Sequence, residues 1–225
     1  MQYLGVFKMH RSFIYFDKMI KFRKLLLTWS FIIKKSARSQ AFELTKEIEN
    51  PLDLTSHLPF RVAIVSNLLA LNRDWNIRNL SDLDPREMRV LLNIGSYMPI
   101  KSADIAYQSR LDSYTVSRAV KKLLELGLIE SQADSHKKNV KNLLLNEQGK
   151  ALYQRVTIAM DERSKQLESV LSNDELSQFY QMLEKVENKA EQLLAEQALE
   201  LMDAGLDAPA DQKELIRWYK KSALK

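Results

Sequence analysis

The sequence predicts a mainly α protein carrying one small β-hairpin, and three observations predict it. Residues 101–127, KSADIAYQSRLDSYTVSRAVKKLLELG, read as two short helices joined by a tight turn. The second places Val116, Val120, Leu123 and Leu124 on one apolar face at the i, i+4, i+7, i+8 spacing. Directly after it, 128–131 and 140–145 are short runs rich in branched residues around the polar loop QADSHKKN, the pattern of an antiparallel hairpin. Two long stretches, 147–171 and 173–203, then repeat apolar residues at helical spacing. Gly and Pro number five each in 225 residues, too few for a loop-rich fold.

Taken in order, residues 1–40 are basic, aromatic and unlike the remainder of the chain. A signal peptide fits poorly, because Lys34 and Lys35 follow the apolar run 25–33 and no small-residue cleavage site appears. A membrane span needs about 20 apolar residues, and Lys21, Arg23 and Lys24 interrupt it. Two readings stay open: a basic segment lying on a membrane or on DNA, or an upstream extension outside the native chain. Residues 41–50 read as a helical lead-in that stops before Pro51. Pro59 suits the first turn of a helix running through 60–75, apolar on more than one side. Asp84, Pro85 and Glu87 form a capping-box start for a helix ended by Gly95 and Pro99, with 99–101 as a minimal strand.

Ser102 is expected to cap the helix 103–110, and Asp112 to cap 113–126, with Gly127 as the left-handed residue beyond it. Asn146 starts the first long helix, and Ser172 with Glu175 opens the second. Helices this long, after so small a globular unit, have little of their own to bury against; a second subunit supplies the surface. Residues 204–211 read as a linker and 212–224 as a short amphipathic tail of no assigned role. The expected architecture is therefore mainly α with a small β-hairpin wing: a winged helix-turn-helix domain plus long dimerisation helices. Its divisions are 1–40 (extension), 41–80 (helices contributing to dimerisation), 81–147 (winged helix-turn-helix), 148–203 (dimerisation helices) and 204–225 (linker and tail).

Charge sharpens this picture. The formal balance is +5, yet residues 1–40 alone are +8, with nine Lys or Arg against Asp17, and the remaining 185 are −3. Within them 85–155 is again +5, with twelve basic and seven acidic residues, so the flanking helices are acidic. Positive charge gathered on one module is the electrostatic footprint of a nucleic-acid reader. The polar face of 113–126 carries Ser113, Tyr114, Thr115, Ser117, Arg118, Lys121 and Lys122, with no carboxylate before Glu125. His136, Lys137 and Lys138 at the hairpin tip add cations for phosphate or minor-groove contact. The chain has no Cys, which excludes disulfides, thiolate metal sites and thiol redox switching, and its three His are too scattered for a zinc site. With no glycine-rich phosphate loop and no nucleophile beside a base, an enzyme is not expected, nor any cofactor.

The element order and the local text LPFRVAIVSNLLALNRD, LDPREMRVLLNIG, IAYQSRLDSYTVSRAVKKLLELGLIE and LLLNEQGKAL resemble the MarR family of bacterial transcriptional regulators. The resemblance covers roughly 58–200 and is most specific over 84–130. It implies a cytoplasmic homodimer that binds double-stranded DNA, with recognition helices in adjacent major grooves and wings in the flanking minor grooves. Ser113, Thr115, Ser117 and Arg118 match positions of base and phosphate contact, and Asn146, Glu147 and Gly149 match the family's Thr-Glu-x-Gly junction with Asn replacing Thr. The wing departs: Lys137, Lys138 and Asn139 stand where an Asp-Arg-Arg-like run is usual, and arginine is the residue favoured in a narrow minor groove. The resemblance also implies a small-molecule effector, often aromatic, in the region of His57, Phe60, Arg61 and Trp75. A second reading of the same residues is a winged-helix protein-interaction module without sequence-specific DNA binding.

Overall fold

The structure is a computed structural model, and it describes residues 41–133 and 141–223. The chain divides into two compact units, Met1–Asn67 and Leu68–Lys225.

In the first unit, residues 41–50 form bends rather than the expected helical lead-in. All ten are exposed, so the segment has no apolar face to bury, and Asn50 adopts a left-handed φ of 51°. Helix α1 (Leu58–Leu69) begins one residue before Pro59 and crosses into the second unit. It buries no residue, and Val62, Val65, Leu68 and Leu69 are exposed along it. It also stops short of the expected Trp75. Asp74 interrupts by accepting hydrogen bonds from the Asn76 and Ile77 N–H groups, which starts the short helix α2 (Trp75–Arg78) after a 3-10 turn at Leu71–Arg73.

The second unit is built around α3 (Pro85–Tyr97). Its start is the capping box expected: Asp84 accepts from the Arg86 and Glu87 N–H groups, and Glu87 Oε2 accepts from the Asp84 N–H at 2.9 Å. Met88, Val90, Leu91 and Ile94 are buried. Gly95 does not end this helix. A Cβ there would lie 2.2 Å from Tyr153 Cδ2, so the glycine serves close approach of a neighbouring helix.

Helices α4 (Ser102–Ser109) and α5 (Ser113–Glu125) pack on α3. Lys101, not Ser102, is the N-cap of α4, and the cap is made without a side-chain hydrogen bond to the first turn. Helix α5 buries Val116, Ala119 and Leu123, whereas Leu124 is exposed. Successive residues turn by about 100°, so Leu124 falls at the edge of the stripe that Leu123 centres. Gly127 has the expected left-handed φ, 62°. Strands β1 (Ile129–Ala133) and β2 (Lys141–Leu145) pair antiparallel from Ile129↔Leu145 to Ala133↔Lys141. Ile100 adds the minimal third strand by exchanging backbone hydrogen bonds with Leu143.

Asn146 caps α6 (Glu147–Glu168) through the Gly149 N–H, and Ser172 with Glu175 completes a second capping box for α7 (Asn173–Asp203). A last helix, α8 (Ala210–Ala223), packs on α7 through Ala195, Ala198, Ala208 and Ile216. Among the described residues no helix is long and apolar enough to cross a membrane.

Gly149 is where the hairpin meets α6. A Cβ there would stand 1.9 Å from the Leu128 carbonyl oxygen, a backbone atom held by the start of β1. Gly149→Ala should therefore cost about 1–3 kcal/mol of stability in a urea unfolding titration. A variant as stable as the parent would show that the junction can shift freely.

Candidate nucleic-acid interface

The expected reading surface is one face of α5, and its orientation follows from burial on the other. With Val116, Ala119 and Leu123 at 0–3% exposure, the helix has a single rotational setting that satisfies the core. That setting turns Ser113, Tyr114, Ser117, Arg118, Lys121 and Lys122 outward, all exposed, with Tyr114 at 72%. The Arg118 guanidinium lies 5.7 Å from the Tyr114 ring centroid, a cation–π arrangement that keeps both near the helix start. Lys121 has Glu125 within 3.8 Å, an exposed pair of little energetic weight.

Thr115 is placed differently from its neighbours. It is half-buried, its N–H donates to Asp112 Oδ1 at 2.8 Å, and its hydroxyl donates to Asp112 Oδ2 at 2.7 Å. Its polar atoms are thus engaged in capping. Ser117 donates its hydroxyl to the Ser113 carbonyl at 2.8 Å. The hydroxyls that looked equivalent in sequence divide into one committed to the cap, one bonded along the helix and Ser113 at the first turn.

Asp112 is held below its ordinary value of 3.8, first by the Thr115 hydroxyl and then by the Thr115 N–H, with burial opposing weakly. A carboxylate at a helix N-terminus is also favoured by the helix dipole.

The wing is partly described. Strands β1 and β2 are in place, and His136, Lys137 and Lys138 lie outside the described residues. Of the residues expected around an effector, His57, Phe60 and Arg61 belong to the first unit and Trp75 to the second. His57 Nδ1 accepts from the Phe60 N–H at 3.4 Å, and Arg61 is exposed. Trp75, 67% exposed, borders a polar cleft of about 870 Å³ with Asn72, Arg78 and Asp82. Among the described residues no cluster of His, Asp and Glu is arranged to hold a metal.

The segment 81–138, spanning α3 to the wing, matches the MarR family model. Roughly three fifths of the chain carries the fold of MarR-family transcriptional regulators, as the following matches show. A MarR/EmrR family transcriptional regulator from Acinetobacter sp. ADP1 is similar at 28% identity and TM-score 0.58, over 63% of this chain and 99% of that one. The MepR–DNA complex from S. aureus is similar at 23% identity and TM-score 0.53, over 58% and 96%. PcaV from Streptomyces coelicolor, solved with its natural ligand, is similar at 18% identity and TM-score 0.54, over 63% and 99%. Among curated proteins none matches the chain in sequence.

Sequence reasoning missed one residue beside α5. Arg110, in the turn before it, has a left-handed φ of 51° and stacks 4.6 Å from the Tyr107 ring. It pairs with Glu191 at 2.5 Å and Glu187 at 3.6 Å. The pairing was foreshadowed by Glu187 and Glu191, four residues apart on α7, although nothing local says which cation they meet.

Asp112→Ala should cost about 1 kcal/mol through the lost cap. Because its folded value is depressed, the ionised form's contribution is complete above 3.8 and fades as pH falls through the depressed value. Urea titrations of parent and Asp112→Asn at neutral pH and at roughly pH 3 should show their stability gap narrowing in acid. A gap that widens would reverse the assignment.

Proposed function

We propose that this chain is a homodimeric, sequence-specific DNA-binding regulator that reads a near-palindromic site with α5 and steadies itself with its wing. The observation that carries this is the exposed face of α5, with Ser113, Tyr114, Ser117, Arg118, Lys121 and Lys122 outward and no carboxylate before Glu125. Cations neutralise phosphate, while Arg118 is suited to the O6 and N7 acceptors of guanine. Support for DNA as the partner comes from the MarR-family match over 81–138 and from MepR, which was solved on DNA.

Dimerisation is supported by apolar side chains with nothing to cover them. Helix α7 exposes Phe179, Met182, Leu183, Val186 and Leu193, and α1 exposes Val62, Val65 and Leu68. Exposed apolar surface on this scale is the mark of an interface rather than of solvent. A two-fold dimer would set half-sites about one helical turn apart. An aromatic small-molecule effector belongs to the same proposal; PcaV was solved with its natural ligand. The wing contacts proposed are His136, Lys137 and Lys138, and Thr115 serves the reading helix by holding its cap.

Selecting duplexes from a random pool with the full chain gives the probe for two tests. Arg118→Ala should weaken binding to the best duplex by about 1–3 kcal/mol, whereas Lys122→Ala should lower the slope of log affinity against log salt by about one. If Arg118→Ala binds as tightly as the parent, α5 does not read DNA. Met182→Glu with Val186→Glu should shift the chain from dimer to monomer in sedimentation equilibrium; a parent that sediments as a monomer would dispose of the dimer.

A further inference from the structure

We propose that the tail helix α8 is an intramolecular clamp on the reading head: it seats a carboxylate at the start of α5, so that tail docking and DNA binding exclude one another. The proposal rests on the reading of α5 as the DNA-contacting helix.

Ser113 is the first residue of α5, and its N–H is one of the donors a helix leaves without an internal partner. In the structure that N–H donates to Glu214 Oε2 of α8 at 3.1 Å. A carboxylate thereby occupies the position that suits a phosphate oxygen, at the positive end of the helix dipole. Glu214 is 8% exposed, and Glu191 of α7 is 5% exposed. They are the buried charged residues among those described, and both face the helix-turn-helix. Buried carboxylates are stable where their partners hold them, so each marks a specified contact rather than a casual one.

The rest of the seat is equally specific. Lys221 reaches Asp104 at 3.2 Å and lies 4.3 Å from the Tyr107 ring centroid. The Tyr107 and Ser222 hydroxyls are 2.9 Å apart, and Ser222 donates to Glu191 Oε1 at 3.1 Å. Trp218 packs against the main core and lies 5.7 Å from the Arg110 guanidinium. A cleft of about 690 Å³ remains beside Ser113 and Tyr114, bordered by Leu194, Asp211, Leu215 and Trp218. Asp211 and Glu214 would meet phosphate with like charge, so an approaching backbone must displace them. The joint for that displacement is present: 204–207 is exposed, and Gly205 has a φ of 77° with open space around it.

The chain's lack of cysteine permits a clean test. Asp104→Cys with Lys221→Cys in the full chain, joined by a short reducible bismaleimide, would hold α8 on α4. Binding to the duplex selected from the random pool should fall by roughly fivefold to a hundredfold and return when the linker is reduced. The single Asp104→Cys chain carrying the same reagent should bind as before. Glu214→Gln, nearly isosteric and therefore expected to fold, should bind more tightly than the parent and should exchange its Ser113 amide hydrogen faster. A joined chain that binds as tightly as the unjoined one, while Arg118→Ala still weakens binding, overturns the clamp and leaves the regulator standing. If neither the unjoined chain nor Glu214→Gln binds any duplex from the pool, the regulator reading fails and the clamp falls with it.

Discussion

Asn146 ties together three elements of the winged helix: the end of α5, the root of the hairpin and the start of α6. Its side-chain amide donates to the Gly127 carbonyl at 2.6 Å, where α5 ends, and its Oδ1 accepts from the Gly149 N–H at 2.9 Å, where α6 begins. Its own N–H donates to the Leu128 carbonyl at the root of the hairpin. The side chain of one residue therefore satisfies groups at two helix ends, and its backbone N–H satisfies the root of the hairpin. Gly149 can approach Leu128 closely because it carries no Cβ. The direction in which α5 leaves the core, and the direction in which the wing departs from it, are set at this junction.

From that junction the two faces of α5 acquire separate tasks. The inward face, through Val116, Ala119 and Leu123, contributes to the same core as α3 and β2. Burial there leaves no rotational freedom for the outward face, which suits the proposed task of presenting side chains in register with a duplex. The helix start is more contested than the rest. Asp112 and Thr115 satisfy one N–H internally, and Glu214 reaches the Ser113 N–H from a helix about 100 residues further along the chain. An acidic group from the tail at the positive end of a basic helix is electrostatically natural, and it would place the proposed regulation and recognition on the same few atoms.

Residues outside the winged helix follow a different rule. Helices α3, α4 and α5 hide their apolar stripes in one core, but α1 buries nothing and the middle of α7 leaves Phe179, Met182 and Leu183 exposed. The distal half of α7 finds part of its cover in α8, through Ala195 and Ala198. Small residues there let the two helices approach closely, which explains why this segment packs while the bulkier stripe before it stays open.

Much of this could be read from sequence because it is local. The capping boxes at Asp84 and Ser172, the Asp112 cap, the left-handed Gly127 and the bounds of α7 each depend on residues within a few positions of one another. So does the amphipathic stripe of α5, apart from the exchange of Leu124 for Ala119 at its edge. The lead-in at 41–50 and the length of α1 were misread because propensity without a surface to bury does not hold a helix, and because Asp74 offered the backbone another cap. Sequence alone determined the fold class, the capped starts of α3, α5, α6 and α7 and the basic outward face of α5, since these follow from spacing and side-chain chemistry. Tertiary structure alone decided that Glu214 meets Ser113 and Glu191 meets Arg110, because pairings across about 80–100 residues leave no periodic trace in the chain.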